Sequence, residues 1–127
     1  MKHESKCRNP HGHNYVAFIH AEAPELDELG RVIDFGVLKE KVGGWIDTWW
    51  DHGFIYARGD RAMQQALLTF DEFRPKQFCL NRNPTAENMA AHLLDDVCPE
   101  VLDGTGVTVT KVVLWETENC FVEVTLT

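Results

Sequence analysis

The sequence has no apolar run long enough to cross a bilayer, and its opening residues show no signal-peptide pattern. A cytoplasmic protein without a membrane partner is expected. Cysteine is sparse and scattered: Cys7, Cys79, Cys98 and Cys120 form no CxxC pair. They read as reduced thiols rather than as a disulfide framework. Positive charge is also scarce, with 12 Lys and Arg against 20 Asp and Glu, a net charge of −8. No basic stripe is present to meet phosphates, which excludes a nucleic-acid partner. An anionic small substrate remains compatible if a metal or a local basic pocket overcomes the global charge. Internal repeats and low-complexity linkers are absent. The 127 residues suit one domain, 1–127, and a hydrophobic content of 44% is enough for a core and too high for disorder.

What is present centres on Cys7-Arg8-Asn9-Pro10-His11-Gly12-His13-Asn14-Tyr15. A thiol stands four residues before a His-x-His pair, at the entrance to a strand expected over 13–22. Residues two apart in a strand point to the same side, so His11 and His13 can present two imidazoles together. Such a pair forms part of a transition-metal site, most naturally zinc, or is a histidine pair in a loop with no metal. Cys7 could be a further ligand, a nucleophile or a base. Along the strand Val16, Phe18 and His20 share one face, while Tyr15, Ala17 and Ile19 share the other. Both are largely apolar, which predicts cover on both sides.

Residues 23–31, acidic and punctuated by Pro24 and Gly30, read as a loop. A helix then starts with Asp34 as its N-cap, and Phe35, Leu38, Val42, Trp45 and Trp49 form its apolar stripe. Gly43-Gly44 weakens its middle, a cost expected to be offset by close packing against a neighbour. Asp51-His52-Gly53 closes this helix. The pair is either a candidate acid/base couple or a histidine complementing the helix dipole. A short helix over 60–70 and a short strand over 76–81 follow. Thr85 is the expected N-cap of a second long helix, with Glu87 in its first turn, Met89, Leu93 and Val97 buried, and Pro99 ending it. His92 reads as a core or interface histidine. Two strands, Val107 to Trp115 and Cys120 to Leu126, form a hairpin with a four-residue turn. Glu116 ends the first of them in register with Val112 and Leu114, as either a solvated strand end or an anchor for a ligand's donors.

Four motifs now stand in order: C-x3-H-G-H-N-Y from Cys7, D-H at Asp51, P-T-A-E-N from Pro84 and W-E-T-E-N from Trp115, with D-F-x-x-L-K at Asp34. In this order the chain resembles the 6-pyruvoyl-tetrahydropterin synthase / 6-carboxytetrahydropterin synthase family, over Cys7 to Val124. The resemblance implies an α+β tunnelling fold: an antiparallel sheet with two helices on one face, closing into an oligomeric barrel as a trimer or hexamer. It implies 7,8-dihydroneopterin triphosphate as substrate. It also implies the carboxy branch of the queuosine (7-deazaguanine) pathway, in preference to the pyruvoyl enzyme or a non-catalytic pterin-binding homologue. Cys7 matches the catalytic cysteine, Asp51 and His52 the assisting pair, and Glu116 the glutamate that grips the pterin. Thr85 and Glu87 match a segment near the pterin pocket.

Members bind zinc through three histidines, two of which match His11 and His13. The third belongs to an upstream A-x-H-R-like strand. The chain begins only six residues before Cys7, so the resemblance implies that this strand is missing. His3 is the sole upstream histidine, and weak zinc binding is expected unless it substitutes.

Overall fold

The computed structural model describes residues 11–70 and 75–127. Cys7 and His3 lie outside the described residues. The architecture is α+β. Strand β1 (Val16–Glu22) pairs antiparallel with β4 (Thr108–Thr117), which pairs antiparallel with β5 (Cys120–Thr125), giving the sheet order β1-β4-β5. Between β1 and β4 run two long helices and a small parallel ladder. Helix α1 is continuous through Phe35–Leu38, a π-helical turn Lys39–Gly43, and Gly44–Trp49. Strand β2 (Phe54–Ala57) pairs in parallel with β3 (Gln77–Leu80), and helix α2 (Arg61–Leu68) lies between them in the chain. Helix α3 runs through Ala86–His92, a second π-helical turn Leu93–Val97, and Cys98–Val101.

One face of the sheet carries both long helices. Ala17, Ile19 and Ala21 of β1, Val109, Val112 and Leu114 of β4, and Val122 and Val124 of β5 meet Val42, Trp45 and Ile46 of α1 and Met89, Ala90, Leu93, Leu94 and Val97 of α3. Burial strictly alternates along β1, and the other face is open: Val16 is 51% exposed and Phe18 53%. The expectation of cover on both sides is therefore corrected for the chain by itself, because both long helices pack on the same side.

The caps follow the sequence. Asp34 accepts from the amide of Gly36 at 2.8 Å and Thr85 from that of Asn88 at 3.2 Å, each satisfying an otherwise unpaired N–H at a helix start. Asp60 caps α2 through the Met63 amide.

Other expectations change. The apolar stripe of α1 does not include Phe35, which is 85% exposed, or Trp49, at 49%. Its buried end is Trp50 instead. The turn Lys39–Gly43 inserts one residue beyond α-helical spacing, and beyond it Ile46 and Trp50 join Trp45 on the packed side. Nor does Gly43-Gly44 serve close packing. A Cβ at Gly44 would meet nothing within 4 Å, and at Gly43 only the Lys39 Cγ at 3.7 Å. Gly44 has helical φ and ψ of −62° and −39°. Gly44→Ala should therefore stabilise the protein by about 0.5–1 kcal/mol, read as a higher denaturant midpoint at unchanged slope.

Pro99 does not end its helix. It sits in the first turn of the segment Cys98–Val101, after a π-helical turn, where a missing N–H costs little. Strand β2 has no counterpart in the sequence reading. The hairpin is tighter than expected, since Thr117 pairs with Cys120 and the register slips between Trp115 and Thr117.

Candidate active site

That slip falls on Glu116. A bulge re-aims the side chain it carries, and Glu116 does not end in solvent but lines a cleft of about 660 Å³. His13, three residues before β1, reaches the same place. Its Nε2 lies 3.3 Å from Glu116 Oε1. The approach does not have hydrogen-bond geometry: His13 Nε2 is buried and has no hydrogen-bond partner among the described residues. An imidazole nitrogen left in that state is costly unless something is meant to meet it.

His11 stacks edge-on against His13, with ring centroids 4.7 Å apart and planes at 87°. One ligating atom each from His11, His13 and Glu116 lies within 4.8 Å of the others. Two imidazoles and a carboxylate are a donor set suited to zinc. The orphaned Nε2 and the chemistry of these donors fit a metal ion. The family resemblance implies a third donor upstream; among the described residues the structure offers Glu116.

The Asp51-His52 pair lies on the same cleft. Its Nδ1–Oδ2 distance is 3.1 Å. His52 has a left-handed φ of 57°, uncommon for a residue with a Cβ, which aims its ring off the end of α1. Gly53 follows because no side chain fits there: a Cβ would lie 2.9 Å from the Trp50 carbonyl oxygen. Both site side chains are open in the isolated chain, His52 at 91% and Asp51 at 57%.

Thr85 and Glu87 line the cleft as well. Their loop is fixed by Asn83, whose carbonyl accepts from the Thr85 amide at 2.8 Å and from Asn88 Nδ2 at 2.9 Å. The Thr85 hydroxyl already accepts from the backbone as a cap, so toward a ligand it has its proton to offer. His92 stays out of this chemistry, as expected. It packs against Trp45, Trp50 and Phe78, with Nδ1 2.9 Å from Asp96. Cys98 is inert: burial pushes its thiol up to about 11.

Sequence reasoning missed three cleft residues. Trp50 is 7% exposed and has an unpaired buried indole nitrogen among the described residues. Tyr56 stands on β2 opposite Cys79, and its hydroxyl is pushed above the usual phenol range by burial and then by that thiol. Met63 is brought in by α2. The available signal for Tyr56 was the apolar run Phe54-Ile55-Tyr56 directly after Gly53.

A family model described as 6-pyruvoyl tetrahydropterin synthase matches residues 1–126. The chain belongs to this family. A Rickettsia bellii protein named 6-carboxy-5,6,7,8-tetrahydropterin synthase is 42% identical over 122 residues, covering 96% of this chain and 87% of its own. An Aquifex aeolicus protein of the same name is 34% identical over 122 residues, covering 89% and 72%. The crystal structure of an uncharacterized protein from Wolinella succinogenes has the same fold, with a TM-score of 0.80 at 24% identity over 95% of this chain and 81% of that one. No helix among the described residues is long and apolar enough to cross a membrane.

Proposed function

We propose that the protein is a 6-carboxy-5,6,7,8-tetrahydropterin synthase. It would convert 7,8-dihydroneopterin triphosphate and water to 6-carboxytetrahydropterin, acetaldehyde and triphosphate, as a cytoplasmic step of queuosine and other 7-deazaguanine biosynthesis. The observation that carries this reading is the single cleft shared by His11, His13, Glu116 and the Asp51-His52 pair, in a chain of this family. The names of the Rickettsia and Aquifex relatives favour the carboxy product over the pyruvoyl one.

The chain's own groups divide the work. Cys7, as thiolate, takes a proton from the substrate side chain, and His52, oriented by Asp51, relays it. Glu116 accepts hydrogen bonds from the N–H edge of the pterin and holds the ring in register. Thr85 and Glu87 border the same pocket. His11 and His13, with Glu116 in reach, would hold a zinc ion, whose Lewis acidity polarises the side-chain hydroxyls.

The test is product analysis with 7,8-dihydroneopterin triphosphate. Acetaldehyde and a 6-carboxypterin in equal amounts are expected. Triphosphate release without acetaldehyde would instead make this a 6-pyruvoyl-tetrahydropterin synthase, and pterin binding without either product would make it a non-catalytic homologue.

We also propose that the working form is a homo-oligomer, a trimer or hexamer. Phe18 on β1 and Phe121 on β5 are each 53% exposed on the open face of the sheet, and β1 and β5 are both edges. Exposed apolar faces and unpaired edges are liabilities that ring closure between copies removes. Light scattering at micromolar concentration should give a multiple of three times the 14.5 kDa chain mass. A monomer would refute the proposal.

A further inference from the structure

One residue outside the cleft grips the turn that carries His52 from both ends. Lys76, immediately before β3, accepts the amide of Phe54 on its carbonyl at 2.8 Å. Its ammonium donates to the carbonyl of Asp51 at 2.6 Å and to that of Asp47 at 2.7 Å. Asp51 and Phe54 are the residues on either side of His52-Gly53. The same side chain also closes the space above the turn, since its Cδ lies 3.2 Å from where a Gly53 Cβ would stand. A left-handed histidine is held only when its surroundings over-determine it. Here the backbone just before it and just after it is tied to one residue from another element. The ammonium also meets carbonyls at the C-terminal end of α1, where a cation is favoured.

We propose that Lys76 is a positioning residue for the Asp51-His52 pair: it fixes the turn that presents the His52 ring at the edge of the cleft. This rests on the reading of that pair as the acid/base couple. Charge-assisted hydrogen bonds to two carbonyls define a direction as well as an attraction. Lys76→Met keeps the aliphatic stem against Gly53 and removes both.

The experiment compares the parent, Lys76→Met, Lys76→Arg, His52→Ala and the Lys76→Met/His52→Ala double variant. Turnover of 7,8-dihydroneopterin triphosphate and the His52 ring resonances by NMR are the two readouts. Lys76→Met should lower kcat roughly 10- to 100-fold, the scale of a displacement near 1 Å, with KM within about twofold. Lys76→Arg, which keeps charge and donors, should recover most of the loss. In the His52→Ala background Lys76→Met should cost no further activity, because its effect passes through the ring already removed. The His52 resonances should move in folded Lys76→Met. An unchanged kcat overturns the proposal. So does a loss that follows the unfolded fraction, or one of equal size with and without His52. If the parent itself does not turn the substrate over, the functional reading fails. Lys76 is then judged by the His52 resonances alone, and their staying in place in folded Lys76→Met overturns its role.

Discussion

Glu116→Gln should weaken binding of a pterin by about 100-fold while leaving the fold intact. The carboxylate lies at a bulge in β4, on the inward parity set by Val112 and Leu114, which are 0% and 2% exposed. It is therefore presented near the hairpin end of the central strand, on the side that faces the cleft. A pterin offers it two N–H donors. Glutamine replaces one of two acceptor oxygens by an NH2 group, so that donor faces donor. Losing a charge-assisted hydrogen bond and leaving a ligand donor unpaired costs about 1.5–3 kcal/mol, or roughly 10- to 150-fold in affinity. The 3.3 Å approach of Glu116 to His13 gives the same substitution a second readout. Titration of a fluorescent pterin with and without added zinc separates the roles. A loss of affinity in both conditions identifies the pterin anchor. A loss only with zinc present would assign Glu116 to the metal instead.

Cys7→Ala should do the opposite. Turnover should fall by about 10³-fold, within the range for loss of a general base, with pterin affinity unchanged within about twofold. In the proposed division of roles Glu116, not the thiol, supplies the ring's anchor. Single-turnover kinetics with binding measured separately would test this. Equal losses of affinity in Cys7→Ala and Glu116→Gln would overturn the division of roles between the two residues.

Much of the fold is local in origin, and those parts were legible. Asp34 and Thr85 precede helices because each side chain satisfies an amide within three residues of itself. Strands β1 and β4 are written in their apolar, β-branched runs, but both faces of β1 are apolar in sequence, so the face that the helices cover is not. The errors share a different cause: each depends on a partner remote in sequence or on a change of helical pitch. Strand β2 exists because Phe54 to Ala57 find Gln77 to Leu80, and four residues carry too little periodicity to announce themselves. The shift from Trp49 to Trp50 as the buried end of α1 follows from one extra residue in a turn, which a stripe counted at constant spacing passes over.

Parts of the candidate site were legible as residue pairs but not as an assembly. His11-Gly12-His13 and Asp51-His52 stand out as chemistry-bearing pairs, and both line the cleft. That Glu116 meets His13 depends on the register Val16 to Trp115, which no short-range pattern encodes. Lys76 was read simply as the start of a strand. The positions of Trp50 and Tyr56 required the tertiary structure.

The π-helical turn at Lys39–Gly43 makes helix length itself uneven in meaning. A π turn holds one residue more than an α-helix needs while its two ends keep their facing. That segment therefore has a spare residue: a single deletion there lets the backbone relax to α-helix with Leu38, Val42 and Trp50 still turned to the core. The same deletion between Gly44 and Trp50 finds no slack. It would swing everything beyond it by about 100°, carrying Asp51 and His52 off the cleft. Within helix α1 the chain can therefore lose a residue before Gly44 and cannot lose one between Gly44 and Trp50.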